Sequence, residues 1–160
     1  MRLKNILNKL LLFSVILVFS SCLKNEICSP VDIQVEAGVF NKTSSPINNG
    51  LITAKIDLDS IYAIELQSKN VVKNALQIDK IRFPLNNESN QTTFVFTKGS
   101  LKDTLYINYD KQLFFSSIKC GVYYSYSLKS IEYTTNFFKE VLLIKPEVNA
   151  ISVQNIQLVF

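Results

Sequence analysis

The side chains best equipped for covalent chemistry in this chain are three thiols, Cys22, Cys28 and Cys120. A thiol can be acylated, oxidised to a disulfide or bound to a metal, and its surroundings decide which. The chain has no histidine and no tryptophan. A Ser-His-Asp or Cys-His unit is thereby excluded, as is a zinc site built on imidazole. Two isolated thiolates cannot complete a tetrahedral zinc shell, so no metal is expected. The glycines Gly38, Gly50, Gly99 and Gly121 have no spacing that would cradle a phosphate. Asp57 and Asp59 come nearest to a calcium loop, but the third ligand and the glycine are missing, and the pair reads as a solvated strand end. The other acids fall singly on polar faces or at turns. No catalytic residue and no cofactor is expected, and the chain reads as a non-enzyme.

The leader before Cys22 says which chemistry that thiol meets. Arg2, Lys4 and Lys9 precede an apolar run, Leu10–Phe19, in which Ser14 is the one polar residue, and two small residues, Ser20 and Ser21, lead into the cysteine. This is the charged, apolar and small-residue plan of a secretory signal peptide. A spanning helix needs about 20 apolar residues, and the run is half that. Phe19-Ser20-Ser21-Cys22 resembles the bacterial lipobox, with Phe19 where leucine is usual. The expectation is cleavage before Cys22 and attachment of acyl chains to it.

Removing the leader changes the charge. Three of the 17 basic residues lie in residues 1–21 against none of the 13 acidic ones, which leaves 14 against 13 and a net charge of +1. No basic patch recruits nucleic acid on that balance. The expected organisation is a signal peptide over 1–21, a lipid-bearing tether over 22–27 and one domain over 28–160, long enough to bury a core of its own. With Cys22 committed to lipid, Cys28 and Cys120 are an even pair in an oxidising compartment. They are either bridged, closing a loop of about ninety residues, or two unrelated buried thiols. A bridge would pin the tether end of the domain and leave the opposite end as the contact surface.

The elements that must carry these residues are strands. Apolar residues alternate at period two over 31–39, 52–58, 92–97 and 103–109, and again over 122–128 and 153–160. Asn41–Gly50 is a loop by composition, and Asn86–Asn90 and Lys98–Ser100 are turns. Asp110-Lys111 reads as a tight hairpin turn leading to a strand over 113–118. Residues 68–79 fit either a helical turn or a short strand pair. Nine or ten short strands with little helix predict an all-β fold, an antiparallel β-sandwich. A small outer-membrane β-barrel ending in Phe160 is the alternative of similar length.

Several short motifs together resemble an uncharacterised lipoprotein family of the Bacteroidota. They are the lipid-bearing Cys22 with Cys28 close behind, Phe83-Pro84-Leu85-Asn86, Asp103-Thr104-Leu105-Tyr106-Ile107, Cys120-Gly121, and the closing Asn155–Phe160. The resemblance spans the whole mature chain. It implies a Gram-negative envelope address and supports pairing of Cys28 with Cys120, but assigns no activity. After Cys22 the tether holds one acid, Glu26, and lacks the acidic run of surface-exported lipoproteins, so the expected place is the periplasmic face of the outer membrane.

Two kinds of surface site remain. Tyr123, Tyr124 and Tyr126, near Phe114, Phe115, Phe137 and Phe138, could line a carbohydrate or peptide surface, since a tyrosine offers a rigid apolar ring with a hydroxyl tip. The plainer alternative puts Tyr124 and Tyr126 in the core. Asp59-Ser60-Ile61 and Asp103-Thr104-Leu105 resemble an O-glycosylation signal, with Ser60 and Thr104 as acceptors. The expected role is binding or scaffolding in the cell envelope, with the membrane held through acyl chains and an envelope protein or glycan as partner. The rival is a carboxylate-dependent hydrolase or lyase acting on an envelope glycan, which two converging acids in one pocket would favour.

Overall fold

The computed structural model describes residues 33–43, 50–66, 69–149 and 153–160. The expected leader, tether, Cys22 and Cys28 lie outside the described residues. Eleven strands form: β1 Gln34–Lys42, β2 Leu51–Thr53, β3 Ile56–Ala63, β4 Lys69–Ile78, β5 Lys80–Pro84, β6 Gln91–Lys98, β7 Leu101–Ser117, β8 Gly121–Tyr133, β9 Glu140–Leu143, β10 Glu147–Val148 and β11 Gln154–Val159. No α-helix occurs among the described residues.

The strands make two sheets. One runs β2-β1-β11-β9, with β5 also pairing β1, and the other runs β10-β8-β7-β6-β3-β4. β1 and β11 pair in parallel, with Ala37 opposite Ile156 and Val39 opposite Leu158, while the other pairings are antiparallel. The all-β sandwich is as expected, and the parallel pair is the departure from it. Period two cannot reveal that pair, because it says which face a residue takes and not which strand lies beside it.

Apolar alternation puts Val35, Phe83, Ile156 and Leu158 of the first sheet against Phe94, Phe96, Leu105 and Ile107 of the second, all fully buried. Phe83 touches Phe94 and Phe96 across the sheets, with ring centroids 4.8 and 5.9 Å away, and Phe96 meets Phe138 at 4.9 Å. A filled interior between two open-edged sheets is a sandwich core and not a membrane barrel, whose apolar faces would point outward to lipid.

Two local expectations fail. Asp110-Lys111 is not a turn. β7 runs straight through it for 17 residues, because both residues pair with β8, Asp110 opposite Ser127 and Lys111 opposite Tyr126. Residues 69–78 are one edge strand, kept irregular by two register shifts against β3 and by positive φ at Asn74 (48°) and Gln77 (54°). Such kinks blunt an exposed sheet edge, and they also erase the alternation that would have identified the strand.

Candidate functional site

β6 pairs with β7 only over Leu101–Asn108, so the rest of β7 leaves its sheet with β8 alone as neighbour. The two strands form an arm that ends in the turn at 118–120. On the arm's solvent face the cross-strand pairs are Asp110–Ser127, Gln112–Ser125 and Phe114–Tyr123. Two residues of β10 extend this face, with Glu147 beside Ser127. An open groove of 460 Å³ follows, lined by Asp110, Gln112, Phe114, Tyr123, Ser125, Ser127, Glu147 and Asn149 among others. Phe114 and Tyr123 stack at its outer end, 5.7 Å between centroids and 15° between planes. The groove therefore offers an aromatic wall next to hydroxyls, amides and carboxylates.

Asp110 and Glu147 share this face two strands apart, about 10 Å at the backbone from the usual strand spacing. Their environments do not suit acid–base catalysis. Asp110 Oδ2 lies 2.8 Å from Lys129 Nζ, and its side chain is 65% exposed. Glu147 is exposed as well. A carboxylic acid that protonates a leaving group needs an apolar setting that disfavours its charge, and neither residue has one.

The inner face of the arm's root holds the loop between β5 and β6. Tyr109 is fully buried; its hydroxyl donates to the Asn86 carbonyl at 2.8 Å and lies 2.7 Å from Thr92 Oγ1, which itself accepts from the Asn86 amide at 2.9 Å. Tyr126 donates to Asn87 Oδ1, and Lys111 Nζ donates to the Asn87 carbonyl at 2.7 Å. The two tyrosine rings meet edge to face at 5.4 Å. Burial pushes the Tyr126 hydroxyl up to about 12, with Tyr109 and Tyr124 adding to the shift. Burial raises Tyr109 too, with Thr92 opposing the shift and the Glu65 charge adding to it. These phenols are structural donors that remain neutral.

The aromatic trio is thus split by the fold. Tyr126 joins the core, Tyr124 is half-buried on the same inner face, and Tyr123 stands on the groove side. Cys120 lies in the turn at the arm's tip. The groove and Cys120 therefore share one hairpin. Ser60 and Thr104 are half-buried strand residues. The Ser60 hydroxyl bonds Thr97 Oγ1, and the Thr104 amide donates to Thr134 Oγ1 at 2.8 Å. Asp57 and Asp59 act as local caps: Asp57 Oδ1 accepts from the Gln77 amide and Asp59 Oδ2 from the Gly99 amide, each at 2.7 Å. Among the described residues no group of three or more metal-ligating side chains converges.

Not every acid lies on a polar face. Asp103 is fully buried. Its Oδ1 accepts from Thr134 Oγ1 (2.6 Å) and from the Asn136 amide (2.7 Å), and its Oδ2 from the amides of Phe137 (2.7 Å) and Phe138 (2.8 Å). Desolvation pushes this carboxyl up, but the hydrogen bonds from Thr134, Phe137, Phe138 and Asn136 outweigh it and hold the group below its ordinary value. Asn155 has a like role: its Oδ1 accepts from the Glu36 amide (3.1 Å), and its Nδ2 donates to the carbonyls of Lys145 (3.1 Å) and Glu147 (2.9 Å). Both residues organise loops, and a lone polar residue inside an apolar strand was the available signal.

Residues 59–160 match the model of a family of unknown function, DUF6452, and the chain belongs to that family. The match begins inside β3 and contains the arm, the groove, Asp103, Cys120 and Asn155. No curated protein and no solved structure matches the chain.

Proposed function

We propose that this member of DUF6452 is an exported lipoprotein, held in the outer membrane by acyl chains on Cys22, that binds or scaffolds another envelope component without chemical turnover. The observation that carries the binding role is the groove on the arm. It puts the stacked Phe114–Tyr123 pair next to Gln112, Ser125, Ser127 and Asn149 on an open strand surface. Flanking an aromatic wall with short hydroxyl and amide side chains suits an extended polar ligand, which the rings contact while the rim supplies hydrogen bonds. The solvated, ion-paired setting of Asp110 favours binding over glycan hydrolysis.

The anchor is supported by the charged, apolar and small-residue leader and by the lipobox-like Phe19–Cys22. Two or more acyl chains suffice for stable attachment. A Cys28–Cys120 bridge belongs to the same reading, with Cys120 in the turn at the arm's tip. Ser60 and Thr104 stay as candidate acceptors for O-glycosylation; both are half-buried in strands, so a sugar would have to be added before the sheet closes.

The test is affinity capture of the full lipidated protein from its own envelope, in parallel with Tyr123→Ala. Capture of a defined envelope component that the variant loses, while the variant remains folded and membrane-bound, is the expected result. Equal capture by both proteins would remove the groove from the reading. Release of a shortened glycan during incubation would favour the hydrolase.

A further inference from the structure

We propose that the tip of the β7–β8 arm is a membrane-contact element, which seats its apolar end among the lipid headgroups of the bilayer that carries the anchor. The inference rests on the lipoprotein reading above and adds a second, non-covalent contact to it.

Three observations converge on the tip. Ile118 is 97% exposed, Phe115 67% and Val122 57%, an unusual concentration of apolar surface for one turn. Past Asn108 on β7 and Tyr126 on β8, no third strand pairs with the arm among the described residues. A two-stranded ribbon adds little stability of its own in water; Tyr123 and Tyr124 pack back on the core, and beyond them the arm's apolar end is left bare.

The order of side chains along the arm identifies what that end meets as a bilayer. Apolar Ile118, Phe115 and Val122 come at the end, Tyr123 and Tyr124 one step inward, and Gln112 and Ser125 next. Apolar, then tyrosine, then polar is the sequence of environments met on leaving a membrane, since tyrosine rings favour the headgroup level. The polar Ser116 and Ser117 beside the turn keep the insertion shallow.

The tether places the tip within reach. Five residues separate Cys22 from Cys28, six chain steps that reach at most about 22 Å when extended. With Cys28 bridged to Cys120, the arm's turn cannot leave the neighbourhood of the acyl chains. A single anchor point would let the domain swivel; a second contact fixes how the groove faces the envelope.

The native chain has no tryptophan, so Ile118→Trp reports on the tip alone. The full lipidated protein carrying it would be reconstituted into phosphatidylethanolamine and phosphatidylglycerol vesicles that contain brominated lipid. Expected are a blue-shifted emission and at least twofold quenching, repeated with Phe115→Trp. Leu101→Trp, at the other end of β7, should stay unquenched. An unquenched tip in protein that still sediments with vesicles would overturn the inference and leave the anchor standing. Protein that leaves the vesicles and carries no acyl label on Cys22 would overturn the anchor reading, and this inference with it. A blue shift that grows with protein concentration without quenching would assign the tip to a second copy of the chain and overturn the lipid assignment.

Discussion

Asp103 Oδ2 accepts a hydrogen bond from the backbone amide of Phe138 at 2.8 Å, across 35 residues of sequence. It ties the β8–β9 connection to the start of the longest strand. Phe138 is thereby held against Phe96 and Phe160, with centroids 4.9 and 5.2 Å away, and one carboxylate closes that end of the core. The other end is closed by Tyr109 and Tyr126, which grip the Asn86–Asn90 loop and give the arm a rigid root.

Replacing Asp103 should therefore destabilise the domain strongly. Asp103→Ala leaves the buried Phe138 amide and its neighbours without an acceptor, at a cost of about 3 kcal/mol. Asp103→Asn should cost nearly as much, since one side of the amide presents N–H groups to N–H groups. The carboxyl is held below its ordinary value in the fold, so its contribution is complete above the unfolded value near pH 4 and disappears as pH falls through the folded one. Melting curves of wild type and Asp103→Asn should stay a constant distance apart above about pH 5 and converge below about pH 4.

Tyr126 gives the opposite sign. A hydroxyl raised to about 12 in the fold stabilises fully below its ordinary value of 10.0, and the contribution disappears as pH rises through 12. Tyrosinate absorbance should show a component that titrates late, and Tyr126→Phe should remove it. At neutral pH the same variant should lose about 1 kcal/mol, the net value of one buried hydrogen bond, here to Asn87.

Asn155 separates hydrogen bonding from size. Asn155→Ala loses one acceptor and two donor contacts, and should cost about 2–3 kcal/mol in chemical denaturation. Asn155→Asp should be worse despite its shape, because it points a carboxylate at the carbonyls of Lys145 and Glu147.

The cysteines give a thiol count. Protein harvested without reductant should show no free thiol in its mature lipidated form, and reduction should lower its melting temperature by several degrees, in line with about 2–4 kcal/mol for a native disulfide. Two reactive thiols would refute the Cys28–Cys120 bridge.

Cys22→Ala addresses the anchor. It should abolish incorporation of labelled fatty acid and block cleavage of the leader; a variant that incorporates label as before would exclude Cys22 as the acylated residue.

Some features were determined by sequence alone because they depend on neighbours along the chain. Alternation at Thr92–Thr97 and Asp103–Tyr109 marks the core face of β6 and β7, since side chains reverse at every residue of a strand. The missing histidine excludes whole classes of catalysis wherever the chain folds. Other features exist only between distant segments. The parallel β1–β11 pair joins the two ends of the described chain, and strand pairing leaves no trace in the period of either strand. The groove arises because β7 and β8 continue past the end of β6 and β10 joins β8, which brings residues of three strands onto one face. Asp110-Lys111 looks like a turn locally, but two ladder pairings outweigh that preference. Asp103 likewise reads as a polar residue between strand hydrophobes until the amides of Phe137 and Phe138, more than thirty residues away, arrive as its donors. A buried charge is stable only where its partners converge, and convergence is a property of the tertiary fold.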